Sequence, residues 1–213
     1  METLKAYIWD LDGTLFDSYG AIVSSLVDVA RACGAADTPE EILKAVKQGS
    51  VSGYLRDLSA GSGRSTEALY QMYRAVGHAK DGEIILIPGA AETLKALQDQ
   101  GAKHFVYTHR GGSTLQLLER LGIADFFTEI VTFEQGFRPK PSGDALAYLI
   151  QKHGLKKKEA AYVGDRRIDV LCAKAAGVRA VLYCPKDSCV QPEGEEDLVI
   201  ERLEDLLSCE TFE

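Results

Sequence analysis

Apolar residues along the chain follow two textures. Residues 4–9 are a short, mostly apolar run that stops at Asp10-Leu11-Asp12-Gly13-Thr14, the pattern of a buried strand entering a glycine-containing loop. From residue 19 the period becomes helical: Ile22, Val23, Leu26, Val29 and Ala30 share one face, and Gly34 stops the segment. Thr38-Pro39-Glu40-Glu41 is a capping box with proline at the first helical position, and it opens a helix to about residue 47. Gly49-Ser50-Val51-Ser52-Gly53 reads as a loop of small residues. A short helix follows over 54–58, broken by Gly61-Ser62-Gly63, and then a longer one over 65–79 with Leu69, Met72, Tyr73 and Val76 on one face. Between residues 19 and 81 nothing reads as a strand.

Beyond that block, strands and helices alternate. Extended segments are expected at 84–87, 104–107, 129–133, 160–163 and 179–183. Helices are expected after Pro88-Gly89 to residue 100, and over 113–121, 142–153 and 167–176. A last strand at 198–200 and a short helix at 203–207 close the pattern. Alternation of this kind means right-handed crossovers and a parallel sheet. A block of helices placed after the first strand cannot join that sheet. The expected fold is therefore α/β, a Rossmann-like parallel-sheet core from residues 1–16 and 82–213, with a small all-helical domain, 17–81, inserted into it.

Composition narrows the class. The chain has 213 residues, 46% hydrophobic and 26% charged, enough to bury a sizeable core without disulfides or structural metals. The formal net charge of −8 argues against nonspecific binding to nucleic acid or to an anionic membrane, although one local positive site suffices for an anionic substrate. Cys33, Cys172, Cys184, Cys189 and Cys209 include no CxxC pair, so they read as ordinary thiols rather than zinc ligands or a secreted disulfide framework. With no signal-peptide pattern at Met1-Glu2-Thr3 and no apolar run of membrane-spanning length, a cytoplasmic protein is expected. Nothing in the sequence implies an obligate protein partner.

Polar residues with chemical potential fall where the strands end. The first strand ends at Asp10 and Asp12, another at Thr108 and a third at Asp165, while Lys140 lies in the loop Arg138-Pro139-Lys140-Pro141. In an open parallel sheet, ligands bind outside the carboxyl ends of the strands, so these residues are expected to converge. Oxygen-only ligands suit Mg²⁺, and Asp165 and Asp169 share one face if a helix begins near Asp165. The cation would neutralise the carboxylates and bind a phosphate oxygen. Lys140 would hold another phosphate oxygen, and Thr108 would supply a hydrogen bond. Asp10 could then attack phosphorus, with Asp12 as general acid and base.

These residues closely resemble the haloacid dehalogenase superfamily. Its four motifs are matched in order by Asp10-Leu11-Asp12-Gly13-Thr14-Leu15-Phe16-Asp17-Ser18, by Thr108 after a hydrophobic strand, by Lys140-Pro141, and by Gly164-Asp165-Arg166-Arg167-Ile168-Asp169. The resemblance covers residues 6–183 and is to the phosphoglycolate phosphatase-like branch, with the helical block as its cap. It implies that Asp10 is nucleophile and metal ligand, that Asp12 is acid/base and gives its backbone carbonyl to the metal, that Asp165 binds the metal directly, and that Asp169 supports it through water. It implies that Thr108 and Lys140 bind the transferring phosphate.

The activity implied is a Mg²⁺-dependent phosphatase acting on a small phosphorylated metabolite. Alternatives are a phosphomutase similar to β-phosphoglucomutase and a non-catalytic binding protein on the same scaffold. A dehalogenase is disfavoured because Asp12 is present. His109 and Arg110 stand where relatives often carry Asn after the Thr. They are candidates for phosphate and second-anion contacts, or for a structural turn. Ser50, Ser52 and Tyr54 either face the substrate or belong to a plain interhelical loop. Arg166 and Arg167 read as surface or ion-pairing residues.

Overall fold

A computed structural model describes residues 4–208, so Cys209 and the first three residues lie outside the described part. The chain divides into two compact units: one runs up to Phe16 and resumes at Leu86, and the other is Asp17–Ile85. Strand β1 (Ala6–Trp9) opens the first unit, and β2 (Phe16–Asp17) leads into the second.

The second unit holds α1 (Tyr19–Ala32), α2 (Pro39–Gln48), α3 (Val51–Ser62) and α4 (Thr66–Lys80). Each helix gives one fully buried side chain to a common core: Leu26, Ile42, Leu55 and Leu69. Three of the four start on a side-chain cap, with Thr38, Ser50 and Ser65 each accepting a backbone N–H of the first turn. The expected loop over 49–53 is therefore shorter than its composition indicates. Ser50 Oγ accepts the Gly53 N–H at 3.0 Å, which starts α3 at Val51 and draws Ser52 and Tyr54 into the helix. The helix also runs through Gly61 and ends at Gly63, whose φ of 66° suits a residue without Cβ.

The chain leaves the second unit through a 3-10 turn and β3 (Ile85–Leu86), which pairs with β2 as a separate two-stranded sheet. The alternating part follows: α5 (Ala90–Asp99), β4 (Lys103–Tyr107), α6 (Thr114–Arg120), β5 (Phe127–Val131), α7 (Asp144–Lys152), β6 (Ala160–Gly164), α8 (Arg167–Ala176), β7 (Arg179–Tyr183) and β8 (Leu198–Ile200). The main sheet is wholly parallel, in the order β5-β4-β1-β6-β7-β8. The expected strand at 84–87 is not in it, because only two residues are extended there and they pair with β2. The expected strand at 129–133 starts two residues earlier and stops at Val131. Thr132 then caps a 3-10 turn that leaves Phe133 exposed.

β1 is flanked by β4 on one side and β6 on the other, in register Ile8 with Phe105 and with Tyr162. Its residues are all buried, as a central parallel strand covered on both faces requires. Trp9 is fully buried and donates its indole N–H to His104 Nδ1 at 3.0 Å, while His104 Nε2 meets the Leu94 carbonyl at 3.0 Å. No described helix is long and apolar enough to cross a membrane.

Candidate active site

The strand order places the carboxyl ends of β1, β4 and β6 side by side, and the next residues are Asp10, Thr108 and Asp165. The loop after β1 folds back tightly. Gly13 has φ 79°, a conformation that favours glycine, and its N–H donates to the Phe16 carbonyl at 2.8 Å. Thr14, Leu15 and Phe16 all direct their N–H groups at the Leu11 carbonyl. Asp10 is buried at 2% exposure, and its N–H is tied to the Val163 carbonyl at 2.9 Å.

Asp10, Asp165 and Asp169 form a buried group whose nearest carboxylate oxygens all lie within 4.8 Å of one another. Lys140 Nζ donates to Asp10 Oδ1 at 2.7 Å and to Asp169 Oδ1 at 2.8 Å. The ammonium also lies 5.2 Å from the ring centroids of Tyr107 and of Tyr162. The Tyr162 hydroxyl donates to Asp169 Oδ1 at 3.3 Å or to the Tyr107 carbonyl at 3.1 Å.

Asp165 precedes α8 instead of lying within it, contrary to the helical-face argument. Arg166 is the N-cap, and Asp169 Oδ2 accepts the Arg166 backbone N–H at 3.2 Å in a capping box, which brings Asp169 back beside Asp165. A Cβ at Gly164 would overlap the Asp169 side chain, so this glycine allows the approach.

The charges shift one another. Burial pushes the Asp10 carboxyl up to about 7, against the pull of Lys140 and with further repulsion from Asp169. For Asp169 burial also acts upward, but Lys140 and then Arg166 outweigh it and hold the group below the ordinary carboxylate range. Burial disfavours the Lys140 ammonium, yet Asp10 and Asp169 hold it above the ordinary lysine range. Asp10 Oδ2 accepts no hydrogen bond from the described residues. A buried, hydrogen-bond-free carboxylate oxygen in an all-oxygen cluster fits a hard divalent cation.

The remaining predicted residues fall in three places. Asp12 lies in the loop after β1, but its carboxylate stands outside the three-carboxylate group: Oδ1 accepts Arg110 Nη1 at 2.8 Å. Thr108 is buried, with Oγ1 accepting the Arg110 N–H at 3.2 Å. His109 Nε2 accepts the Lys140 backbone N–H at 3.0 Å, so this nitrogen is committed to the Lys140 loop, not to a phosphate oxygen. Burial, then Lys140 and Arg166, push the His109 imidazole down to about 3 and keep it neutral. Ser50, Ser52 and Tyr54 belong to the helical unit. There Ser50 Oγ meets Ser52 Oγ at 3.0 Å, and the Tyr54 hydroxyl donates to Asp37 at 2.9 Å.

Arg166, expected at the surface or in an ion pair, takes the second role. It is 9% exposed and stands against Asp10, Asp165 and Asp169 at 3.9, 3.9 and 3.8 Å. Its position next to Asp165 and three before Asp169 was the available signal. Arg167, by contrast, is half-exposed and pairs with Glu193 at 2.8 Å.

The chain belongs to the haloacid dehalogenase-like hydrolase family, which it matches over residues 7–183. Within that class it is 30% identical to a phosphoglycolate phosphatase of Vibrio vulnificus, over 83% of this chain and 82% of that one. It is 28% identical to the pyrophosphatase PpaX of Bacillus velezensis, over 96% and 95% of the two chains. Among solved structures, a hydrolase from Pseudomonas syringae superposes with a TM-score of 0.76 at 26% identity, covering 96% of this chain and 97% of that one.

Proposed function

We propose that this chain is a Mg²⁺-dependent phosphatase that hydrolyses a small phosphorylated metabolite through an aspartyl-phosphate on Asp10. The observation that carries the reading is Asp10 itself: a buried carboxylate at the end of the central strand, Oδ1 held by Lys140 at 2.7 Å and Oδ2 accepting no hydrogen bond from the described residues. Burying a carboxylate in that state is costly, and fold stability alone does not repay it. Asp10, Asp165 and the Asp12 backbone carbonyl would hold Mg²⁺, with Asp169 behind them, and the cation would supply charge neutralisation for the transferring phosphoryl group.

The chain's own groups account for the chemistry. Asp10 attacks phosphorus, and the bond to the ester oxygen breaks. Asp12 gives its proton to that departing oxygen, then takes one from the water that attacks the aspartyl-phosphate and regenerates Asp10. Lys140 fixes the direction of the nucleophile, and the Thr108 hydroxyl donates to a phosphoryl oxygen. His109 holds the Lys140 loop.

Arg110 is the candidate reader of a second anionic group on the substrate. Phosphoglycolate and pyrophosphate, the substrates in the names of the two relatives, both carry one next to the phosphoryl group that is split off. The helical unit is proposed as the cap, with Ser50, Ser52 and Tyr54 as candidate specificity residues. The test is a phosphate-release screen over metabolite esters and pyrophosphate with added Mg²⁺, using Asp10→Asn as the background. Release by the native chain above that background is expected, and its absence for every ester sinks the reading.

A further inference from the structure

The site carries one more cation than the proposed chemistry uses. Lys140 is already bonded to Asp10 and Asp169. Arg166 adds a second positive charge at 3.8–3.9 Å from all three carboxylates. Each of those separations exceeds hydrogen-bond length, so in these contacts the guanidinium acts through its charge. Its backbone is fixed at the start of α8, its side chain is 11% exposed, and arginine stays protonated throughout the working range of pH. The charge is therefore permanent and is set beside the group that fits a divalent cation.

We propose that Arg166 tunes the site by opposing its two ligands in sign: it weakens divalent-cation binding and strengthens binding of the phosphoryl anion. The inference rests on reading Asp10, Asp165 and Asp169 as the cation group. With Lys140 and Arg166 both present, three carboxylates face two cations, and a divalent ion entering alone makes the pocket positive. A phosphoryl group restores the balance, so cation and ester bind better together than either does alone. The magnitude follows from Coulomb interaction at short range in a partly buried site, where removal of one unit charge changes a divalent ion's affinity by roughly 10-fold or more.

The test is isothermal titration of the full chain with Mg²⁺ alone and with inorganic phosphate alone, for the native protein, Arg166→Gln and Arg166→Lys. Circular dichroism confirms the fold of each. Arg166→Gln is expected to bind Mg²⁺ roughly 10-fold tighter and phosphate weaker by a similar factor. Arg166→Lys keeps the charge but draws it back, so both affinities fall between those of the other two. Opposite signs are the signature, since simple damage to the site weakens both ligands. Should the Gln variant not fold, the Lys variant carries the test through the same opposite shifts at smaller size. Unchanged or weaker Mg²⁺ binding in the folded variants overturns the inference and leaves the phosphatase reading standing. Failure of native and variant proteins alike to bind Mg²⁺ removes the Mg²⁺ reading itself.

Discussion

Two aspartates two residues apart are proposed to do different work because their surroundings differ. Asp10 is buried against Lys140, whereas Asp12 is about a quarter exposed and paired with Arg110 at 2.8 Å. Asp10→Asn is expected to abolish phosphoenzyme formation, read by acid quench after mixing with labelled ester. Asp12→Asn should slow turnover by about 10²–10⁴-fold. With a nitrophenyl ester, whose leaving group needs little protonation, the phosphoenzyme of that variant should accumulate. Normal decay would show that Asp12 is misassigned. Two neutral histidines set a second expectation. Burial pushes His104 down to about 4, and burial with Lys140 and Arg166 pushes His109 down to about 3. Below the unfolded value of about 6.5 the unfolded chain takes up protons that the native state refuses. The stability from each is complete above that pH and falls by up to about 1.4 kcal/mol per pH unit on the way down to the folded value. Between neutral pH and pH about 4 the raised Asp10 carboxyl contributes the opposite slope, so melting curves should show the net of the three, and His109→Asn should remove one histidine's share of the loss. An unchanged slope would place His109 in a solvated setting.

Elements position these side chains, and here the sequence was unevenly legible. Strands β7 and β8 fall where the pattern puts them, because uninterrupted apolar runs between turn residues leave little choice. The convergence of the loops after β1, β4 and β6 was legible too, since it follows from parallel strand order. What local pattern could not give was partnership. The Ser50 cap turned an apparent loop into helix α3, and the ion-pairing alternative for Arg166 came without partners, which the fold supplies as three carboxylates. Both outcomes depend on hydrogen bonds or long-range packing that composition does not carry. Ser50→Ala is expected to cost about 1 kcal/mol of stability in denaturant unfolding, the usual worth of an N-cap. The proposed metal ligands lie in the other unit, so Mg²⁺ affinity should be unchanged. Gly164→Ala should act in the opposite way. The added methyl meets the Asp169 side chain, so Asp169 must shift from Lys140 and from the Arg166 N–H. Turnover should fall at least about tenfold with the secondary structure retained, and native turnover would show that Asp169 has room to yield.

At the scale of the molecule, the sheet and the site make opposite demands on charge. The sheet needs a dry interior, and β1, β4 and β6 supply one, with Ile8, Phe105 and Val163 fully buried. The site sets three carboxylates at the edge of that interior, where burial and mutual repulsion raise Asp10 to about 7. On the proposed reading, a bound divalent cation would relieve that repulsion only in the folded state, because the unfolded chain does not bring Asp10, Asp165 and Asp169 together. Binding is then linked to folding, and stability should grow by about 1.4 kcal/mol for each tenfold rise in free Mg²⁺ above its dissociation constant. Chelation with EDTA should abolish phosphate release while leaving circular dichroism unchanged, since strand pairing and core packing hold the fold without the ion. Added Mg²⁺ should restore turnover and raise the melting temperature, and Na⁺ at matched ionic strength should do neither. Asp10→Asn removes one ligand charge, so it should show a smaller Mg²⁺-dependent rise. Full turnover after exhaustive chelation, or equal stabilisation by Na⁺, would separate the acidic group from any specific cation.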